Sequence, residues 1–121
     1  MKKLVLFITL LLCTVNQAFA GPIQWSTSSG GNGNWYELID TPVSWTTAFS
    51  MSDDYTLFGA TSHFVTITSD AENDFVTALV SDASWIGASD AAVEGEMRWV
   101  AGPETGDLIW LGSGATGTAV S

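Results

Sequence analysis

The feature that most constrains this chain is its start. Lys2 and Lys3 precede an almost unbroken apolar run from Leu4 to Val15, and Ala18-Phe19-Ala20 closes it with a small-x-small pattern. That is the layout of a secretory signal peptide over residues 1–20, removed before folding. The run is too short to span a bilayer comfortably, and no later segment approaches the ~20 apolar residues of a transmembrane helix. Cleavage would take Lys2, Lys3 and Cys13 away together. What remains folds in an oxidising compartment without a cysteine, so core packing, alone or helped by a cation, must hold it where a small secreted chain would often use disulfides. Cys13 has no small residue before it, which argues against a lipoprotein anchor there. The expected location is secreted, extracellular or periplasmic.

Removing the signal also sharpens the charge. All 13 Asp and Glu stay, against Arg98 as the one base, so thirteen negative charges less one leave about −12. A chain this acidic is a poor nucleic-acid binder, because phosphate contacts need Lys and Arg to release counterions. An anionic membrane surface is disfavoured for the same reason. The length predicts one domain. Six tryptophans, all beyond residue 20, suggest a real core or an aromatic binding face.

Residues 21–34, Gly-Pro-Ile-Gln-Trp-Ser-Thr-Ser-Ser-Gly-Gly-Asn-Gly-Asn, read as a flexible lead-in with one anchor at Trp25. Residues 35–39 alternate as a strand that Asp40 ends. Thr41-Pro42 reads as a helix start, with Trp45, Ala48 and Phe49 at helical spacing and a stop near Asp53-Asp54. Gly59 turns the connection that follows, and residues 63–68 form a short extended run. Ser69-Asp70-Ala71-Glu72 fits a capping box, in which the Ser oxygen accepts from the third helical N–H and Glu72 reaches back. Phe75, Val76, Leu79 and Val80 make that second helix's buried stripe. Strands are expected over 85–88 and 97–100, an acidic turn over 89–96, a turn cluster over 101–106 and a short apolar run over 107–110. The stretch 111–121, mostly Gly, Ala, Ser and Thr, is expected to be disordered.

The order of these segments resembles the first half of a C-type lectin-like domain. Ser44-Trp45-Thr46-Thr47-Ala48 is similar to that family's first-helix segment. His63-Phe64-Val65-Thr66-Ile67-Thr68-Ser69 resembles its Gly-His-Leu-Ala-Thr-Ile-x-Ser approach to the second helix, and Glu72-Asn73-Asp74-Phe75-Val76 fits that helix's opening. Trp85-Ile86-Gly87-Ala88 resembles the Trp-Ile-Gly-Leu core strand, and Glu94-Gly95-x-x-Arg98-Trp99-Val100 follows it. The resemblance runs over residues 35–110. The family's cysteines are absent, and so are its Glu-Pro-Asn or Gln-Pro-Asp loop and Trp-Asn-Asp strand, which supply the primary calcium site and the sugar contacts. The fold it implies is α+β: two helices packed on a mostly antiparallel sheet, incomplete at the C-terminus.

The resemblance implies a secreted carbohydrate- or ligand-binding module, linked to calcium in its complete form, whose partner is a carbohydrate or a protein. Without the two sugar-site motifs, this chain is not expected to bind sugar through calcium. A calcium-independent protein-interaction or adhesion domain is the alternative reading, and a gene fragment without function a third. By the same resemblance, Asp90 and Glu94, spaced Asp-x-x-x-Glu after the Trp-Ile-Gly segment, match two ligands of an auxiliary calcium site. Glu96, Glu104 and Asp107 could add oxygens without motif support, and the set reads equally well as solvated turn acids.

No residue pattern points to catalysis. His63 is the single histidine, so neither a His-based zinc site nor a nucleophile–base pair can form. Asp70, Glu72 and Asp74 are explained as helix-start acids rather than paired glycosidase carboxyls. Gly30-Gly31-Asn32-Gly33 lacks the Lys and the preceding strand of a phosphate loop. Trp45, Trp85 and Trp99 are expected in the core. Trp25, Trp35 and Trp110 are expected nearer the surface, Trp110 as surface lacking its covering strands.

Overall fold

The computed structural model describes residues 21–120, so the expected signal peptide lies outside the described residues. The described chain is α+β, with two helices and sheets in which every strand pair is antiparallel. The sequence is expected to hold a partial C-type lectin-like domain over 35–110. The described residues gather into two compact units, one of residues 21–41 with 69–82, the other of residues 42–68 with 83–120.

In the first unit, β1 (Ile23–Gln24) pairs with β2 (Trp35–Tyr36), Ile23 opposite Tyr36 and Gln24 opposite Trp35. The segment between them corrects the expectation of a flexible lead-in. The Trp25 N–H donates to Asn34 O (2.9 Å), and the Gly33 N–H donates to Trp25 O (2.8 Å). Ser26 O accepts from Ser29 and Gly31, and the Gln24 amide donates to Gly33 O (3.0 Å). A run of Gly and Ser is ordered here because its backbone groups find partners across the loop, which composition does not reveal. Gly33 adopts φ 84, a left-handed conformation that favours glycine, and a Cβ on Gly31 would strike Trp25.

The same unit holds the second helix of the chain. Ser69 caps it as expected, its hydroxyl accepting from the Glu72 N–H at 3.1 Å, and Asp70 and Glu72 occupy the first turn. The helix spans Asp70–Leu79. Phe75 projects from it into a small aromatic core, stacked on Trp25 (ring centroids 5.3 Å) and edge-on to Tyr36 (5.2 Å).

The second unit contains the first helix, α1 (Trp45–Asp54); the helix of the first unit is therefore α2. α1 starts later than Thr41-Pro42 predicts, because Ser44 is extended (φ −67, ψ 158) and its hydroxyl accepts from the Thr47 N–H at 3.2 Å. A tight hairpin follows, β3 (Thr56–Leu57) against β4 (Ala60–Thr61), turned by Phe58 (φ 52) and Gly59 (φ 83). Two positive φ values make it a type I′ turn, matched to the twist of the strands.

A meander closes the second unit: β5 (Ala88–Ser89), β6 (Glu96–Trp99), β7 (Leu108–Leu111) and β8 (Thr118–Ala119), neighbours in sequence and in the sheet. β8 corrects the expectation of a disordered tail over 111–121. It pairs Thr118 with Leu111 and Ala119 with Trp110, and the Val120 N–H donates to Ile109 O (3.0 Å). Gly117 lies so close to the Trp110 indole that a Cβ would collide with it. The Gly-rich composition, which by itself argues for disorder, is what lets the chain return over that ring.

Phe64, Trp99 and Ala101 are the buried apolar side chains of this unit, and Thr66, two residues after Phe64, is buried as well. Trp45, Phe49 and Phe64 form a ring cluster with centroids 5.1–6.2 Å apart. Gly87 carries the main chain through a narrow gap. Its N–H donates to Val65 O (2.8 Å), its carbonyl accepts from the Val100 N–H (2.8 Å), and a Cβ would lie 3.0–3.2 Å from Val65, Phe64 and Ala101.

Candidate functional site

Trp45 and Trp85 tie two segments of the second unit together reciprocally. The Trp45 indole N–H donates to Ile86 O (2.9 Å), and the Trp85 indole N–H donates to Val43 O (2.9 Å). Each ring thereby satisfies its polar atom on the backbone within two residues of the other tryptophan. Their burial differs. Trp45 stacks among Phe49 and Phe64, whereas Trp85, expected in the core, is 55% exposed, and Ile86 beside it is 36% exposed. Trp85 therefore presents a large apolar surface whose orientation is held by its hydrogen bond. Sequence pattern misses this because a short apolar run reads alike whether its tryptophan faces inward or outward.

The acids expected at an auxiliary calcium site lie on the connection from β5 to β6. Asp90 follows β5 and is half-buried; Glu94 is exposed in the turn that Gly95 (φ 83) completes. The Ser89 hydroxyl accepts from the Ala91 N–H (3.1 Å), and the Glu96 N–H donates to Val93 O (2.9 Å). Two of the supplementary acids have side-chain partners. Glu96 pairs with Arg98 (2.7 Å), a partly exposed ion pair of small energetic weight. Glu104 accepts from the Thr66 hydroxyl (2.8 Å), and Asp107 is exposed. Calcium takes about six to eight oxygen ligands. Among the described residues no group of three or more His, Cys, Asp or Glu is placed to hold a metal ion.

His63 is exposed, its Nδ1–H donating to Phe64 O (2.8 Å) and its ring lying against Gly102. The first unit carries the arrangement that sequence reading overlooks. Glu72 is only 4% exposed. Its carboxylate accepts from the Tyr36 hydroxyl (2.6 Å) and the Asn32 amide (3.3 Å), and the same amide donates to the Tyr36 oxygen (2.7 Å). Burial, and then the hydrogen bond to Glu72, push the Tyr36 pKa above the ordinary tyrosine value. The capping position of Glu72 is legible in the sequence; its partners, 36 and 40 residues away, are not.

No family model matches the chain, and no solved structure matches it. Among curated proteins the chain is similar to Halomucin from Haloquadratum walsbyi (strain DSM 16790 / HBSQ001). The identity is 40% over 98 residues, covering 74% of this chain and 1% of that protein. The chain thus spans about one hundredth of the length of this relative. Among the described residues no helix is long and apolar enough to cross a membrane.

Proposed function

We propose that the chain is a secreted, non-catalytic ligand-binding module of the C-type lectin-like class its motifs resemble, taking carbohydrate on the exposed ring of Trp85 without calcium. The observation that carries this reading is the combination at Trp85: the indole N–H held by Val43 O while 55% of the residue stays open to solvent. A ring fixed in this way loses little conformational freedom when a sugar's C–H face stacks on it. The match to a small part of a much longer relative fits a domain used as one module among others. Ile86, exposed next to Trp85, supports a second reading, in which the same patch takes an apolar protein surface.

Affinity electrophoresis through gels containing neutral polysaccharides tests the proposal. Retardation is expected, unchanged by a calcium chelator. Trp85→Ala should weaken it by roughly thirtyfold, the effect of losing an anchor side chain worth about 2 kcal/mol, while Trp35→Ala leaves it in place. Equal retardation of wild type and Trp85→Ala, or none across the polysaccharide panel, overturns the carbohydrate reading.

A further inference from the structure

We infer that Asn32 is a deamidation site, that the folding of the 25–34 loop controls its reactivity, and that its product loosens that loop from α2. Asn32 is followed by Gly33. With no side chain on residue 33, its backbone nitrogen is the least hindered nucleophile an asparagine can meet. In the reaction that nitrogen loses its proton and bonds to the Asn32 Cγ, closing a cyclic imide, while the carboxamide nitrogen leaves as ammonia. Water then opens the imide at either carbonyl, giving Asp or isoaspartate. One water is consumed and one ammonia released, with no change of oxidation state. Asn32 is exposed, so water is at hand.

The native loop occupies every group the reaction needs. The Asn32 amide nitrogen donates to Tyr36 Oη and Glu72 Oε1, and its oxygen accepts from the Asn34 N–H (2.9 Å). The attacking Gly33 N–H is bonded to Trp25 O (2.8 Å). Deamidation therefore proceeds from the opened loop. Its product cannot close again as before. A carboxylate at position 32 has no hydrogen to donate and confronts the buried carboxylate of Glu72, with one phenol between them. An isoaspartate also lengthens the main chain inside a loop whose ends are tied by the Trp25–Asn34 bond.

The test is to incubate the full chain at mildly alkaline pH, native and in concentrated urea, and to quantify Asp and isoaspartate at position 32 by peptide mapping. Native deamidation is expected to be slower by about tenfold or more, because only the opened fraction reacts. Asn32→Asp, the product variant, should lower the folded-to-unfolded ratio by about tenfold. Asn73→Asp, which adds the same charge on an exposed residue of α2, should change it little. Equal rates in buffer and urea, or an Asn32→Asp chain as stable as Asn73→Asp, overturns the inference. If Asn32→Asp does not fold, the wild-type rates decide alone.

Discussion

Phe58 combines two costs at one position. Its φ of 52 places a bulky L-residue in the left-handed region, and its side chain is 81% exposed. A type I′ turn prefers Asn-Gly where this chain has Phe58-Gly59. Phe58→Asn is accordingly expected to stabilise the chain by about 1 kcal/mol, read from a urea titration. Tyr36 makes a prediction of opposite character. Its folded pKa is raised by burial and by Glu72, so above the ordinary tyrosine pKa of 10.0 the unfolded chain releases a proton that the folded chain keeps. Stability is full below that pH and falls as pH rises through the window between the two values. Alkaline unfolding followed by circular dichroism should show this fall, and Tyr36→Phe should remove it. At this scale the sequence is legible where a residue acts locally, as at Ser69. It is not where the partner is distant: Glu72 meets Tyr36 and Asn32, and the outward face of Trp85 depends on Val43 O.

Among the elements, the two helices differ in how openly they announce themselves. α2 carries a cap, first-turn acids and a periodic apolar stripe, and it forms over Asp70–Leu79 under Ser69. α1 has two competing starts, and the extended Ser44 with its bond from Thr47 wins over Thr41-Pro42. Both caps make the same bond, so Ser69→Ala and Ser44→Ala should each cost about 1 kcal/mol, measured by thermal denaturation; the corresponding Thr variants should cost less. β6 and β7 are legible from their apolar residues. The loop 25–34 and β8 are not, since Gly-rich segments carry no apolar periodicity. Their order comes from backbone partners and from Trp25 and Trp110, the rings they pack against.

For the molecule as a whole, net charge outweighs every other property that composition reveals. A formal net charge of −10 is carried on a chain whose buried apolar side chains among the described residues are few, Phe64, Trp99 and Ala101 among them. Self-repulsion at this density opposes compaction, and added salt screens it once the Debye length falls from about 10 Å at 0.1 M to about 3 Å at 1 M. The thermal midpoint is expected to rise with sodium chloride over that range, and calorimetry showing no rise would contradict it. The α+β class is legible from the alternation of helical and strand patterns. The division into two units is not, because residues 69–82 group with the chain's first segment although residues 42–68, which belong to the other unit, lie between them in sequence. The strand order of the second unit also bears on how it assembles. β5 to β8 each pair with their neighbour in sequence, so the loops to be closed are short and each costs little entropy. Such a sheet can grow outward from the β6–β7 hairpin one strand at a time, and a search dominated by local contacts is a fast one.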